Sequence, residues 1–355
     1  MSEVVDKYFL KSLDNIASYL KLSDDIAGAT LLAFGTSAPE ISTALLALFL
    51  LSGSDAPGVG IGTIVGSAIF QILVVIGFSA VVMPSKLAWK PVLRDSIFYF
   101  ISILLLIIFV RDNTLTFLES AGLVSFYLFY LAFLFFWSKT NLSHNPEQEE
   151  FFKQQQKKSE VDTKNEESSI FKLLNKITKP IDLLLSVIPD SQKKPRLTIP
   201  VFIISLAIIA SSSYIMVNAA QFLALSLGIS PAIIALTILA GGTSIPEVIS
   251  SAIVAKQGKG DMAIANAIGS NIFDILISLG LPVLIWAFLN GDVQNIGADN
   301  IGSSIVLLFS TLIVVILLMA AQKFHITRYF GWFLIFLYVV YVWIAYSGAL
   351  AAFSL

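Results

Sequence analysis

Long apolar runs separated by short polar breaks dominate the chain. They fall at about 26–51, 59–83, 96–110, 116–137, 197–222, 229–255, 262–289, 302–321 and 330–350. Most approach or exceed the roughly 20 residues that carry a helix across about 30 Å of hydrocarbon. The pattern predicts nine membrane-spanning helices. One stretch, 138–196, breaks it with eleven Lys/Arg and nine Asp/Glu, and its 145–169 part is Gln/Lys/Glu-rich. Such a segment lacks the apolar content for a core and reads as a hydrophilic linker. Residues 169–188 mix Lys with Leu and Ile at near-helical spacing, which predicts a short helix on the membrane surface. The chain divides into 1–137, the linker 138–196, and 197–355.

Composition narrows the class. The chain is 56% hydrophobic and 13% charged, with a mean hydropathy of +0.84. Soluble domains sit near 25% charged residues, so this is an all-α polytopic membrane protein. There is no Cys, which excludes a disulfide framework, an iron–sulfur cluster and a thiol nucleophile. The two histidines, His144 and His325, lie far apart and argue against a His-based zinc site. Residues 1–25 are polar and show no apolar core of a cleavable signal peptide. The short loops and the lack of a targeting segment lean toward a bacterial plasma membrane.

Orientation follows from the short loops. With the linker placed in the cytoplasm, Lys86, Lys90, Arg94, Lys256, Lys259, Lys323 and Arg328 fall inside and only Arg111 outside, in accord with the positive-inside bias. The five tryptophans, Trp89, Trp137, Trp286, Trp332 and Trp343, read as interfacial anchors or packing residues.

Within the spans a hexapeptide occurs twice. Gly35-Thr36-Ser37-Ala38-Pro39-Glu40 recurs as Gly242-Thr243-Ser244-Ile245-Pro246-Glu247, 207 positions later. Given the orientation, the first copy runs inside to outside and the second outside to inside, so the halves are inverted copies. A second pair follows. Gly66-Ser67-Ala68-Ile69-Phe70-Gln71 matches Gly269-Ser270-Asn271-Ile272-Phe273-Asp274. Gly66 and Gly269 read as close-packing positions.

These motifs carry chemistry. A carboxylate in lipid is costly and marks an ion or substrate path by default. Pro39 and Pro246 lack an N–H, so the carbonyls of Gly35 and Gly242 lose their helical donors. A broken helix at membrane depth is tolerated where the freed backbone lines protein or a watery cavity. Thr36 and Ser37 precede Glu40 by four and three residues, on one helical face. Ser67 and Gln71, and likewise Ser270 and Asp274, are four apart. Oxygen-only ligands suit hard cations such as Ca²⁺ and Na⁺. Glu40, Glu247 and Asp274 together carry −3, which three Na⁺ match and one Ca²⁺ matches in part. Like charges this close also favour a proton on one of them.

The two motif pairs resemble the alpha repeats of the cation/calcium exchanger superfamily. The Thr-Ser-Ile-Pro-Glu, Gly-Asp-Met-Ala and Gly-Ser-Asn-Ile-Phe-Asp run is most similar to the potassium-dependent sodium/calcium exchangers and their prokaryotic relatives. Motif-level similarity covers about 23–85 and 228–290. The resemblance implies ten helices in two inverted five-helix repeats and exchange of cytosolic Ca²⁺ for external Na⁺, with or without K⁺. It implies Glu40 and Glu247 as central shared ligands. Thr36, Ser37, Thr243, Ser244, Ser67 and Ser270 would flank them, with the carbonyls of Ala33 and Ala240. Asp274 matches the acidic position tied to K⁺ use, and Gln71 stands where the family usually has Asn. A long helix in each half is expected to slide and gate access. Here residues 3–22 align with 210–229, and nothing matches 197–207, so the apolar part of the first helix is missing. That departure raises a truncated, transport-incompetent product as an alternative, beside H⁺-driven exchange on the same fold.

An enzyme reading rests on Gly258-Lys259-Gly260-Asp261, which matches an element of intramembrane aspartyl proteases. Those enzymes need a second Asp in a Tyr-Asp pair, and the chain has no Tyr-Asp dipeptide. The expectation is a transporter with no cofactor, no nucleic acid and no obligatory protein partner, surrounded by lipid and handling inorganic cations.

Overall fold

The computed structural model describes residues 4–19, 33–50, 56–141, 188–189, 195–256, 260–294, 296 and 299–347. Ten helices form there. α1 is Leu10–Tyr19, led in by a π-helical turn at Val5–Phe9. α2 is broken into Ala33–Thr36 and Ala38–Leu50. α3 spans Pro57–Val82 and contains a π-helical turn at Gln71–Val75. α4 is Trp89–Val110 and α5 is Phe117–Asn141. After a 3₁₀ turn at Pro195–Leu197, α6 runs from Thr198 to Leu227. α7 covers 231–256 in pieces: Pro231–Ile234, a π-helical turn Ala235–Leu239, Ala240–Thr243 and Ile245–Lys256. α8 covers 260–290, with a π-helical turn at Asp274–Leu279. α9 is Asp299–Ala321 and α10 is Arg328–Tyr346.

Eight of these helices are long and apolar enough to cross a membrane, and Ala38–Leu50 is a shorter apolar helix. The expected surface helix at 169–188 and nearly all of the linker lie outside the described residues. At the linker's near edge, α5 continues to Asn141.

One span starts earlier than its sequence pattern suggests. α4 begins at Trp89 rather than near 96, because Arg94 and Asp95 neutralise each other inside it. The guanidinium grips the carboxylate through Nε (2.7 Å) and Nη2 (2.9 Å), and Tyr130 donates to Asp95 Oδ1 from α5 (3.3 Å). Arg94 also lies over the Trp137 ring, 5.9 Å from its centroid.

The helix ends follow local chemistry. Gly228 closes α6 at φ +66°, a left-handed backbone that glycine adopts without penalty. Pro231 then opens α7 at its first turn, where a missing N–H costs nothing. Thr327 caps α10 by accepting the Phe330 N–H (3.2 Å).

α3, α7 and α8 form the centre with α2. The most apolar window of α3 is 78% buried against 22% for α5 and α6, so the latter two lie at the perimeter. α10 packs on the end of α3, and α5 packs on the end of α8, so each half lends its last helix to the other. Two miniature sheets repeat that exchange in the loops. β1 (Ser85–Lys86) pairs antiparallel with β4 (His325–Ile326), and β2 (Thr114–Leu115) with β3 (Val293–Gln294). If each element is mapped onto its counterpart in the other half, one sheet becomes the other. The pseudo-symmetry inferred from the motifs therefore extends to the loops.

The short α1 runs antiparallel along the first half of α6. Phe9 stacks on Phe202 with centroids 5.1 Å apart, and Asn15 Nδ2 donates to Thr198 Oγ1 (3.2 Å). As α1 advances, its contacts on α6 recede.

Candidate ion-binding centre

Both hexapeptides break their helices where the prolines require. The breaks fall at Ser37 and Ser244. Beyond each, the chain re-enters a helix with the serine carbonyl as first acceptor: Ile41 N–H donates to Ser37 O (3.0 Å) and Val248 N–H to Ser244 O (3.2 Å). Each new helical segment carries its glutamate, Glu40 or Glu247, in its first turn. Backbone donors are concentrated there, which favours a negative side chain.

Glu40, Glu247 and Asp274 are all fully buried, as are Ser37, Ser67, Gln71, Thr243 and Ser244, while Thr36 and Ser270 are each 3% exposed. The structure brings most of them into one network. The Ser67 and Ser244 hydroxyls each lie 3.3 Å from Glu40 Oε1 and 2.5 Å from each other. Each hydroxyl has one proton, so one donates to the carboxylate and the other to its neighbour. Gln71 extends the network across the two halves. Its Nε2 donates to Ser67 Oγ (3.2 Å) and Asp274 Oδ2 (3.0 Å), and its Oε1 accepts from Ser270 Oγ (2.8 Å). Ser37 lies beside Asp274, and Thr243 beside Glu40. A run of oxygen and amide groups therefore joins Glu40 in the first repeat to Asp274 in the second.

Gln71 and Asp274 each open a π-helical turn. A π turn adds a residue to the helical register, redirects the side chains that follow, and recurs at functional sites. The two turns are repeat counterparts, so the pairing of Gln71 with Asp274 is a contact of equivalent positions across the pseudo-two-fold axis.

Some expected groups stand differently. The Ala240 carbonyl accepts from both Ser244 N–H (3.2 Å) and Thr243 Oγ1 (3.0 Å), so its two lone pairs are engaged. Ala33 opens the first segment of α2, and its side-chain surroundings lie outside the described residues. Ser278 is an addition, donating to Asp274 Oδ1 (3.1 Å). Its spacing of four from Asp274 is a usable signal, but its counterpart in the first half is Val75, so a repeat-based reading passes over it. Gly66 behaves as a close-packing residue: a Cβ there would lie 2.6 Å from the Leu236 carbonyl carbon on α7. Of the protease-like element, 258–259 lie outside the described residues, and Gly260 opens α8.

This donor set suits a hard cation. The network offers two carboxylates, several hydroxyls and one amide oxygen, Glu247 is buried in the first turn of Ile245–Lys256, and the chain has no Cys to supply a thiolate.

Comparison with known proteins agrees in extent and kind. The sodium/calcium exchanger protein family profile matches residues 2–136 and 197–347. Sodium/potassium/calcium exchanger 2 of Gallus gallus is 29% identical over 485 residues, covering 96% of this chain and 74% of the relative. Sodium/potassium/calcium exchanger 5 of Homo sapiens is 31% identical over 350 residues, covering 82% and 69%. Among solved structures, the sodium-calcium exchanger NCX_Mj soaked with Na⁺ and Sr²⁺ superposes with a TM-score of 0.57 at 22% identity, covering 96% of this chain and 93% of that one. That likeness concerns the fold.

Proposed function

The chain belongs to the sodium/calcium exchanger protein family, and on that premise we propose that it exchanges Ca²⁺ for Na⁺ across the membrane by alternating access, with the ions held between the two repeats. The observation that carries this reading is the buried network running from Glu40 through Ser67, Ser244 and Gln71 to Asp274 and Ser270. Buried carboxylates without a compensating charge are costly. Inorganic cations at the midplane supply that charge, and the choice between one Ca²⁺ and several Na⁺ gives antiport its exclusivity.

The repeat motifs and the buried network together support the following roles. Glu40 and Glu247 supply the central negative charge. Ser67, Ser244, Ser270, Thr36, Ser37 and Thr243 supply neutral oxygens. Gln71 holds Asp274 and two serines in register and offers its own carbonyl oxygen. Asp274 supplies the third charge and is the position at which K⁺ would enter. The named relatives, which are sodium/potassium/calcium exchangers, support testing K⁺ as a co-transported ion. The Lys/Arg bias of the short loops supports a cytoplasmic position for 138–196.

The test is ⁴⁵Ca²⁺ uptake into Na⁺-loaded proteoliposomes, with the Na⁺ gradient, K⁺ and pH varied independently. Uptake that collapses with the Na⁺ gradient supports the reading. Uptake that follows only the pH gradient overturns Na⁺ coupling, and Asp274→Asn is expected to remove any K⁺ stimulation.

A further inference from the structure

A third repeat lies on the helices that each half lends to the other. Tyr127-Leu128-Phe129-Tyr130 on α5 recurs as Tyr338-Val339-Val340-Tyr341 on α10, 211 positions later (338 − 127). The same 211 positions separate Thr114 in β2 from His325 in β4 (325 − 114), which are counterparts across the pseudo-two-fold axis. The contacts of the two motifs correspond as well. The Tyr127 ring stands edge-on to Phe273, with centroids 5.3 Å apart at 84°, and the Tyr338 ring stands edge-on to Phe70, at 5.2 Å and 86°. The second tyrosine of each motif faces the preceding helix. Tyr130 donates to Asp95 on α4 (3.3 Å), and Tyr341 lies beside Ser304 on α9.

Phe70 and Phe273 lead into the two π-helical turns, immediately before Gln71 and Asp274. A π turn is a rare backbone register, so the packing around it has to hold it against the α-helical alternative. An edge-on ring pair fixes geometry as well as burying apolar area. From this arrangement we infer that Tyr127 and Tyr338 are positioning residues of the ion centre: each braces the phenylalanine beside a π turn and so fixes where Asp274 or Gln71 presents its oxygens. The inference deepens the exchanger reading and rests on it.

The braces are crossed. Asp274 belongs to the second half and is braced by α5 of the first, while Gln71 belongs to the first half and is braced by α10 of the second. Phe70 is confined from another side too, since its ring lies 3.4 Å from where a Cβ at Gly241 would stand, beside the second hexapeptide. The two turns meet through the Gln71–Asp274 hydrogen bond of 3.0 Å. A turn that slips its register carries its side chain out of reach of that partner.

The test is equilibrium ⁴⁵Ca²⁺ binding to the purified full chain. Tyr127→Leu and Tyr338→Leu remove the ring and should each lower Ca²⁺ affinity by about two- to tenfold, the span an edge-on pair is worth. Tyr127→Phe and Tyr338→Phe keep the ring and should bind as wild type. Tyr127→Leu with Phe273→Leu should lose little more than either alone, whereas Tyr127→Leu with Phe70→Leu should lose nearly the product of the two. Leu123→Ala, one turn earlier on α5 and packed against Gly280, is the packing control: it should lower thermal stability and leave Ca²⁺ affinity unchanged. Where a leucine variant does not elute as folded protein, methionine at the same position fills the slot without a ring and replaces it. Wild-type affinity in both ring-removed variants, equal losses in the phenylalanine variants, an equal loss in Leu123→Ala, or coupling across the pairs as large as within them overturns the braces. Binding is read without transport, so wild-type protein that binds Ca²⁺ and moves none would sink the exchanger reading and leave the braces standing.

Discussion

Replacing Glu40 by Gln removes one negative charge and almost no volume. Glu40 is fully buried, and its Oε1 lies 3.3 Å from each hydroxyl of the serine pair Ser67 and Ser244, accepting from one of them. A glutamine carbonyl can accept the same hydroxyls, so the fold should survive. The cation loses a charge partner at a dry site. Breaking a buried ionic pair costs about 3–5 kcal/mol, which is roughly two to four orders of magnitude in affinity at 1.4 kcal/mol per decade. Ser67→Ala is the internal comparison. It deletes one hydroxyl placed against the same charged carboxylate, worth about 1.5–3 kcal/mol, or roughly ten- to a hundredfold. The assay is equilibrium ⁴⁵Ca²⁺ binding to purified protein, followed by Na⁺-driven uptake in proteoliposomes, with size-exclusion profiles confirming folded protein. Glu40→Gln and Glu247→Gln should each abolish exchange while Ser67→Ala weakens it. Wild-type uptake by either glutamine variant, or equal losses for Glu40→Gln and Ser67→Ala, would refute the shared-ligand argument.

Other outcomes follow from the same structure. Gln71→Asn withdraws the amide by one methylene from Asp274, Ser67 and Ser270. Ca²⁺ affinity should change while transport persists, and an indifferent variant would show that position 71 does not touch the ions. Gly66→Ala forces a methyl against the Leu236 backbone. It should lower thermal stability by about 1–3 kcal/mol, the usual range for overpacking; an unchanged melting curve would deny that contact. Asp112 sits in the turn before β2, where the Thr114 backbone N–H donates to its carboxylate (3.1 Å) and holds its pKa below the ordinary 3.8. A depressed carboxylate contributes stability above its unfolded pKa and loses it as pH falls through the folded value. Amide exchange at Thr114 should therefore gain protection loss only in acid below about pH 4, and Asp112→Asn should remove that dependence.

How much of this was legible beforehand differs by feature. Span positions were readable because the cost of polar groups in hydrocarbon acts residue by residue, so apolar runs mark helices without reference to neighbours. The exception, the start of α4, came from Arg94 and Asp95 cancelling each other, an arrangement that a hydropathy count scores as two charges. The helix breaks were readable because the missing N–H of proline is a local fact.

The inverted repeat and its two motif pairs identified the candidate ligands, since residues that recur in register across 200 positions stand out from apolar filler. Ser278 did not, because only one repeat carries it. The sequence by itself thus determined the helices, their breaks, the symmetry and the donor types. The tertiary structure alone decided which donors meet: that Gln71 bridges Asp274 and two serines, that Ser244 shares Glu40 with Ser67, that two-residue strands tie β1 to β4 and β2 to β3, and that Tyr127 and Tyr338 stand edge-on to Phe273 and Phe70. Those contacts join elements far apart in the chain, and their geometry depends on how whole helices pack, which no local pattern encodes.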